Sequence, residues 1–299
     1  MHPVLFTVGN TPIYSWGVLL VVALLASTIV AILRGKKFGI STDMIIDLVL
    51  YCSIGAIVLA RLTFVALNFR LYSSELIKII YLKDGGLSFI GGLIGGILVG
   101  IIYCKLKKVK FFAIADFAAP SIAVGYIFGR LGCLFNGCCY GMVTSVPWAM
   151  HVSADMYLRH PTQIYAMLTG VIICIATILF DKKKKAYGQT FFLFVMMYSV
   201  GRFIIEFFRM ESVVLFNPFT MTQVVCFLAF IASFMLYRIF GKEHPILDGD
   251  EGIWKEGAPQ VAAVVEEAVE VDELVVDDED IIEEESVEEE HEEVQDCTE

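Results

Sequence analysis

The stretch FFAIADFAAPSIAVGYIFGRLGCLFNGCCYG, residues 111–141, begins as an apolar run and ends in a polar cluster. A helix that crosses the ~30 Å hydrocarbon layer of a bilayer needs about 20 mostly apolar residues. This run has that length, and Arg130, three cysteines and Asn136 follow at its end. The stretch therefore predicts a membrane-spanning helix whose far end carries functional side chains.

The rest of the chain repeats this apolar pattern. Its mean hydropathy is +0.72 over 299 residues, which is too high for an ordinary soluble domain. Backbone groups inside lipid must bond within their own segment, so each run should be a helix. We therefore predict an all-α polytopic membrane protein of about seven transmembrane helices, at 13–33, 44–68, 87–104, 111–132, 163–180, 188–208 and 221–240.

Charge divides the chain into two parts. Residues 1–242 contain 21 Lys or Arg against 9 Asp or Glu, whereas residues 243–299 contain 24 acidic residues and one lysine, Lys255. A segment so rich in one charge cannot bury a core, so 243–299 is predicted to be a disordered tail after a membrane domain at 1–242. The tail could serve as a solubilising appendage or as an electrostatic docking arm.

The distribution of basic residues predicts the orientation. With the amino terminus outside, the inner connections between helices hold 13 Lys or Arg and the outer connections hold 5. Basic residues concentrate on the cytoplasmic side of membrane proteins. The amino terminus is therefore predicted to lie outside and the acidic tail in the cytoplasm.

Three arginines, Arg61, Arg130 and Arg202, lie inside the predicted spans, where a cation costs several kcal/mol. At 1.5 Å per residue, each lies roughly 20–28 Å along a helix that runs outward, in the outer half of the bilayer. Arg202 belongs to YSVGRFIIEFFR, residues 198–209, in which Tyr198, Arg202, Glu206 and Arg209 share one face of a helix. Arg202 and Glu206 are four residues apart and can pair, which by itself could neutralise both. The remaining cations favour an anionic ligand such as a lipid phosphate, which the planar guanidinium suits.

Several motifs are distributed over about residues 1–242: IYSWG (13–17), ARL (60–62), GGLSFIGGLIGG (85–96), GRLGCLFNGCCYG (129–141), RHPTQIY (159–165) and YSVGRFIIEFFR (198–209). Together they resemble the prolipoprotein diacylglyceryl transferase family. The glycines of GGLSFIGGLIGG also have a spacing that lets helices approach closely, so packing alone could account for that motif.

The resemblance implies an enzyme of the bacterial cytoplasmic (inner) membrane. Such an enzyme transfers the diacylglyceryl group of phosphatidylglycerol to the lipobox cysteine of a preprolipoprotein, forms a thioether and releases glycerol phosphate. It implies these two substrates as partners, no cofactor and no nucleic acid. The residues predicted to be catalytic are Arg130, Cys138, Arg202 and Glu206, and those predicted to bind phosphatidylglycerol are Arg61, Arg130, Asn136, Gln163, Tyr198 and Arg202.

The chain departs from the usual family pattern at its proton-transfer positions. Ile90 stands where the typical proteobacterial form has a histidine, Cys133 and Cys138 align with an asparagine and a glutamate, and Trp16 stands near a family tyrosine. Isoleucine cannot accept a proton. The identity of the base that receives the proton of the incoming thiol is therefore open, and His160 is one candidate.

The three clustered cysteines allow several readings. Cys138 could act as a thiolate base or hydrogen-bond acceptor beside Arg130. Alternatively, Cys133 could form a disulfide with Cys138 or Cys139, which are adjacent and so are less suited to pair with each other. All three could instead be small residues that fill tight space. The C-x4-C-C spacing disfavours zinc, because it differs from the usual CxxC pairs.

Other functions are also compatible with parts of the sequence. A divergent homologue could modify a different acceptor or only bind anionic lipid. A thiol-redox membrane protein would predict CxxC, which the sequence lacks, and a transporter would predict internal repeats and charges near the bilayer midplane.

Overall fold

The computed structural model describes residues 4–8, 11–36, 38–72, 75–81, 85–151, 156–210, 214–216, 219–243 and 246. Each of the seven predicted apolar runs is a helix, and the ends differ from the prediction by no more than four residues. The helices are α1 (Ser15–Gly35), α2 (Thr42–Leu67), α3 (Phe89–Leu106), α4 (Phe111–Asn136), α5 (Thr162–Asp181), α6 (Gln189–Glu206) and α7 (Met221–Glu243).

Six of these seven helices are long and apolar enough to cross a membrane. The other is α6, which carries Arg202 and Glu206 within its 18 residues. The chain is therefore a mostly helical, multi-pass membrane protein. The acidic tail beyond Ile246 lies outside the described residues, so the division at residue 242 and the disorder of the tail stay predictions.

The connections contain short elements that an all-α prediction does not include. Two antiparallel hairpins pair β1 (Val4–Val8) with β2 (Thr11–Tyr14), and β3 (Val214–Phe216) with β4 (Phe219–Thr220). Single 3₁₀ turns occupy Phe69–Leu71 and Leu76–Ile79. The backbone groups of a connection can form hydrogen bonds with water or with another connection. They therefore need not be helical, unlike the backbone of a segment that lies in lipid.

The glycine-rich motif packs α3 closely against α2, as its spacing predicts. Gly91 and Gly95 are buried, and a Cβ atom at Gly95 would collide with the carbonyl oxygen of Gly55 on α2. Ser88 caps the start of α3, because its hydroxyl accepts a hydrogen bond from the Gly91 N–H at 3.3 Å. Small residues at this contact let the two backbones approach.

Helix α4 lies against α1, α5 and α6 and organises the bundle. Near its beginning, the fully buried Asp116 accepts hydrogen bonds from the N–H groups of Gly188 at 2.8 Å and Phe191 at 2.9 Å. These are among the N–H groups at the start of α6 that lack partners within the helix. The contact fixes the beginning of α6 beside the beginning of α4. At the same end, Arg34 of α1 pairs with Asp181 at the end of α5, at 2.8 Å.

Candidate active site

At the opposite end of the bundle, α4 and α6 end and α5 begins, and their side chains line a cleft. Arg130 and Arg202, which the sequence predicts to share a site, both line it. Arg209, which follows the end of α6, is a third arginine there. The full lining consists of Tyr126, Arg130, Cys139, Thr162, Gln163, Ala166, Arg202, Ile205 and Arg209.

The predicted pairing within α6 is confirmed. Arg202 Nη1 lies 2.6 Å from Glu206 Oε2, with side-chain exposures of only 10% and 1%. The other carboxylate oxygen of Glu206 accepts a hydrogen bond from the Thr220 hydroxyl at 3.3 Å. Thr220 also caps α7, because its hydroxyl accepts from the Gln223 N–H and its own N–H donates to the Gln223 side chain. Glu206 therefore holds Arg202 in place and is itself anchored to the start of α7.

Arg130 has an aromatic neighbour in place of a carboxylate. Its guanidinium lies over the Tyr126 ring, 5.0 Å from the centroid, and Tyr126 packs edge-on against Tyr198 with ring centroids 5.4 Å apart. Within the part of the chain that the structure describes, no carboxylate lies within ion-pair distance of Arg130. The positive charge of Arg130 is therefore not neutralised by a neighbouring acid, which suits a group that binds an anion.

Arg209 and Cys139 are site residues that the sequence prediction did not select. Arg209 Nη2 donates to Cys139 Sγ at 3.5 Å, and its Nε is buried without a hydrogen-bond partner. Arg209 lies on the polar face of YSVGRFIIEFFR, so the sequence contained a signal that could have identified it. The loop between α4 and α5 fixes the segment that carries Arg209, because the Met142 N–H donates to the Phe208 carbonyl at 2.8 Å.

The cysteine cluster forms where the chain turns sharply at the end of α4. Gly137 and Cys139 have left-handed backbone angles, φ 69° and 61°, which reverse the main chain. The reversal brings the Sγ atoms of Cys133, Cys138 and Cys139 within 4.8 Å of one another. All three are free thiols. The C-x4-C-C spacing differs from CxxC and disfavoured a metal site, but this turn brings the three sulfur atoms close enough to share a metal ion.

Two buried side chains at the start of α5 stabilise the turn that carries the cysteines. The Thr162 hydroxyl donates to the Cys139 carbonyl at 2.6 Å, and Gln163 Nε2 donates to the Cys138 carbonyl at 2.7 Å. Gln163 is 1% exposed, and its Oε1 is buried without a hydrogen-bond partner. Gln163 thus fixes the cysteine turn and also brings an unused acceptor to the cleft.

The geometry favours Cys139 over Cys138, the cysteine predicted from the sequence, as the functional thiol. Cys139 lines the cleft, whereas the Cys138 thiol points back to the Cys133 carbonyl at 3.7 Å. Hydrogen bonds with the Cys133 and Cys138 thiols, and then the charges of Arg209 and Arg130, lower the pKa of the Cys139 thiol. Adjacent cysteines cannot be told apart by sequence, because the turn decides which one faces the cleft.

Asn136 and His160, two further candidates from the sequence, are not among the residues that line the cleft. Asn136 is the last residue of α4 and is half-buried. His160 Nδ1 lies 3.1 Å from the Tyr165 hydroxyl, which accepts a hydrogen bond from Trp148 Nε1 at 2.7 Å. The imidazole is therefore part of an aromatic and polar cluster. Ile90, at the position of the family histidine, is 65% exposed on α3.

Arg61 has a different role from the predicted one. Its side-chain nitrogens donate to five backbone carbonyls, those of Lys78, Ile79, Tyr81, Gly85 and Gly86. Its guanidinium also stacks on the Tyr72 ring at 5.2 Å. A guanidinium has five N–H donors, so none is left for a phosphate. Arg61 organises the connection between α2 and α3.

Comparisons with known proteins identify the family of the chain. A family model described as prolipoprotein diacylglyceryl transferase matches residues 3–239. Relatives named phosphatidylglycerol–prolipoprotein diacylglyceryl transferase include one from Clostridioides difficile, 32% identical over 82% of this chain and 97% of the relative. One from Clostridium botulinum (strain Langeland) is 34% identical over 81% and 99%, and one from Staphylococcus epidermidis is 32% identical over 80% and 89%. The chain therefore belongs to the prolipoprotein diacylglyceryl transferase family.

Proposed function

We propose that the protein transfers the diacylglyceryl group of phosphatidylglycerol to the lipobox cysteine thiol of prolipoproteins. Membership of the family supports the reaction, and the names of the relatives support both substrates. The observation that carries the proposal is the convergence of Arg130 and Arg202 on one cleft of a membrane protein. Arg209 is a third arginine of this cleft, and among the described residues only Arg202 of the three forms an ion pair with a carboxylate, that of Glu206. The cleft therefore has surplus positive charge for an anionic headgroup.

The chemistry explains why cations are needed. The thiolate sulfur of the acceptor attacks the glyceryl carbon that bears the phosphate, so a C–S bond forms and the C–O bond breaks. The electron pair of that bond moves to the phosphate oxygen, and the departing glycerol phosphate gains negative charge. Arg130 and Arg202 stabilise this developing charge, because donors fixed in advance are most effective where charge increases in the transition state. Glu206 acts by positioning Arg202.

Other residues of the cleft suit the headgroup. The unpartnered Oε1 of Gln163 is an acceptor for a hydroxyl of the glycerol headgroup. Tyr198 supports Tyr126, over which Arg130 lies. Asn136 ends α4 beside the cysteine turn and contributes a polar rim. Arg61 is assigned to the scaffold because its donors are used.

The topology completes the proposal. All seven helices, including α6, span the bacterial cytoplasmic membrane, with the amino terminus outside and the acidic tail in the cytoplasm. The imbalance of basic residues supports this orientation, since inner connections hold 13 and outer ones 5. The cleft then opens toward the outer leaflet, where the preprotein emerges. Reporter fusions after α2 and after α7 would check this orientation: a cytoplasmic reporter active after α2 contradicts it.

The decisive experiment combines transfer in vitro with rescue in cells. Purified protein is incubated with phosphatidylglycerol labelled in its acyl chains and a lipobox peptide, and the thioether product is identified by mass spectrometry. The matched peptide has serine in place of the lipobox cysteine and should remain unlabelled. Rescue of a strain depleted of its own transferase is expected. Phosphatidylglycerol binding without transfer or rescue would overturn the proposal and leave a lipid-binding homologue.

A further inference from the structure

The cysteine cluster at the edge of the cleft has the arrangement of a metal site with one position open. The three sulfur atoms lie within 4.8 Å of one another. Sulfurs in a tetrahedral zinc site, with Zn–S bonds of about 2.3 Å, lie roughly 3.8 Å apart, so a contraction of about 1 Å or less brings this cluster to zinc geometry. Among the described residues, no histidine or carboxylate joins the three thiols. The described part of the chain therefore offers three ligands, and a fourth position is open to water or substrate.

We propose that Cys133, Cys138 and Cys139 bind a zinc ion whose fourth position receives the lipobox thiol of the acceptor. This inference rests on the proposed function, because that function supplies a thiol substrate. Structural zinc sites use four protein ligands, whereas catalytic sites use three and keep the fourth position for water or substrate. Three thiolates beside a substrate cleft match the second pattern.

Location and charge favour this reading. Cys139 lines the same cleft as Arg130 and Arg202, so a thiol bound at the cluster would lie near the lipid phosphate. A zinc ion with three thiolates carries one surplus negative charge, and a fourth thiolate adds another. The Arg209 guanidinium, 3.5 Å from Cys139 Sγ, offsets this excess. Arg130 then remains for the lipid phosphate.

Fixed outer contacts of the kind that accompany metal ligands are also present. The carbonyls of Cys138 and Cys139 accept hydrogen bonds from Gln163 and Thr162, which are 1% and 3% exposed. Cys138 N–H donates to the Cys133 carbonyl at 3.1 Å. Such contacts orient ligands and limit how far they move. These contacts hold the turn through its main-chain atoms and do not use the sulfur atoms.

Zinc would answer the question that Ile90 raises, because coordination itself activates the acceptor. The acceptor thiol loses its proton to water when its sulfur binds zinc, since coordinating thiols are deprotonated. The zinc-bound sulfur then attacks the glyceryl carbon as the C–O bond to phosphate breaks. The product is a neutral thioether, a weaker ligand, which leaves the metal. No electron acceptor is required, and the charge lost by sulfur appears on glycerol phosphate.

Metal content and spectroscopy of the full-length protein test this assignment. The protein, Cys52→Ser as a matched control on α2, and single Ser variants of the three cluster cysteines are purified in detergent and analysed by inductively coupled plasma mass spectrometry. We expect about one zinc per chain in the parent and control, and at least about a tenfold loss in each cluster variant. Elution as a single species shows that each variant is folded.

Cobalt(II) provides a readout that does not depend on activity. Cobalt bound by thiolates gives a near-ultraviolet charge-transfer band, and a lipobox peptide should change this band whereas its serine analogue should not. Absence of zinc and of the cobalt band, a disulfide within the cluster, copper in place of zinc, or equal responses to both peptides would each overturn the inference. Transfer that persists without metal would overturn the zinc inference but leave the proposed function intact. Bound zinc without transfer would overturn only the proposed function.

Discussion

Replacement of Arg130 by alanine is the perturbation that most directly tests how the cleft works. Arg130 lines the cleft, stacks on Tyr126 at 5.0 Å and has no carboxylate neighbour among the residues that the structure describes. Arg202, by contrast, already shares its charge with Glu206 at 2.6 Å. Arg130 should therefore supply the larger part of the field that acts on the departing phosphate.

The size of the effect follows from charge and distance. One unit of charge that develops on the phosphate about 4 Å from the guanidinium gains about 4 kcal/mol at an effective dielectric constant near 20. Loss of that energy from the transition state lowers the rate by roughly a thousandfold. Loss of a single fixed donor in other enzymes costs about 10² to 10³ in rate, which agrees with this value. Arg130→Lys keeps the charge but loses the planar fork, so its loss should be intermediate.

The assay measures kcat/KM for transfer from labelled phosphatidylglycerol to a lipobox peptide, with the protein in nanodiscs. Arg238→Ala is the matched control, because Arg238 is exposed on α7 and does not line the cleft. It should leave kcat/KM unchanged. A loss of less than about tenfold for Arg130→Ala, or an equal loss for Arg238→Ala, would refute the phosphate-binding argument.

Three further predictions concern the residues that support the cleft and the bundle. Glu206→Leu removes one partner of a buried ion pair and should lower the free energy of unfolding by about 3–5 kcal/mol. We expect a lower midpoint of thermal unfolding together with reduced transfer. An unchanged midpoint would contradict the pairing. Arg61→Ala leaves five backbone carbonyls without their donor, so the unfolding midpoint should fall while binding of phosphatidylglycerol to the folded protein persists. Loss of binding by folded Arg61→Ala protein would restore Arg61 to the site. Gly95→Ala should destabilise the α2–α3 contact. Gly96→Ala is the matched control and should be tolerated, because the added Cβ would meet its nearest atoms at 3.8 and 3.9 Å. Equal unfolding midpoints for the two variants would count against the close packing.

The arrangement of the three arginines shows how far sequence reasoning reaches. Arg130 and Arg202 were expected near the same end of the bundle because rise per residue fixes depth along a helix. The same rise per residue gives Arg61 a similar depth along its helix. Its carbonyl partners, however, lie 17 to 25 residues further along the chain, in the connection after that helix. The path of that connection is a tertiary property, and it turns Arg61 from a ligand candidate into a scaffold residue.

Seven helices, their approximate ends and the Arg202–Glu206 pair could be read from the sequence alone. Each depends on local rules: the length of an apolar run against bilayer thickness, and the proximity of residues four apart on a helix. The cysteine cluster and the position of Arg209 depended on the tertiary structure. Left-handed angles at Gly137 and Cys139 and hydrogen bonds from α5 bring together atoms whose spacing along the chain does not indicate contact. Local periodicity specifies which segments cross the membrane, whereas the return of a loop onto neighbouring helices decides which side chains meet in the cleft.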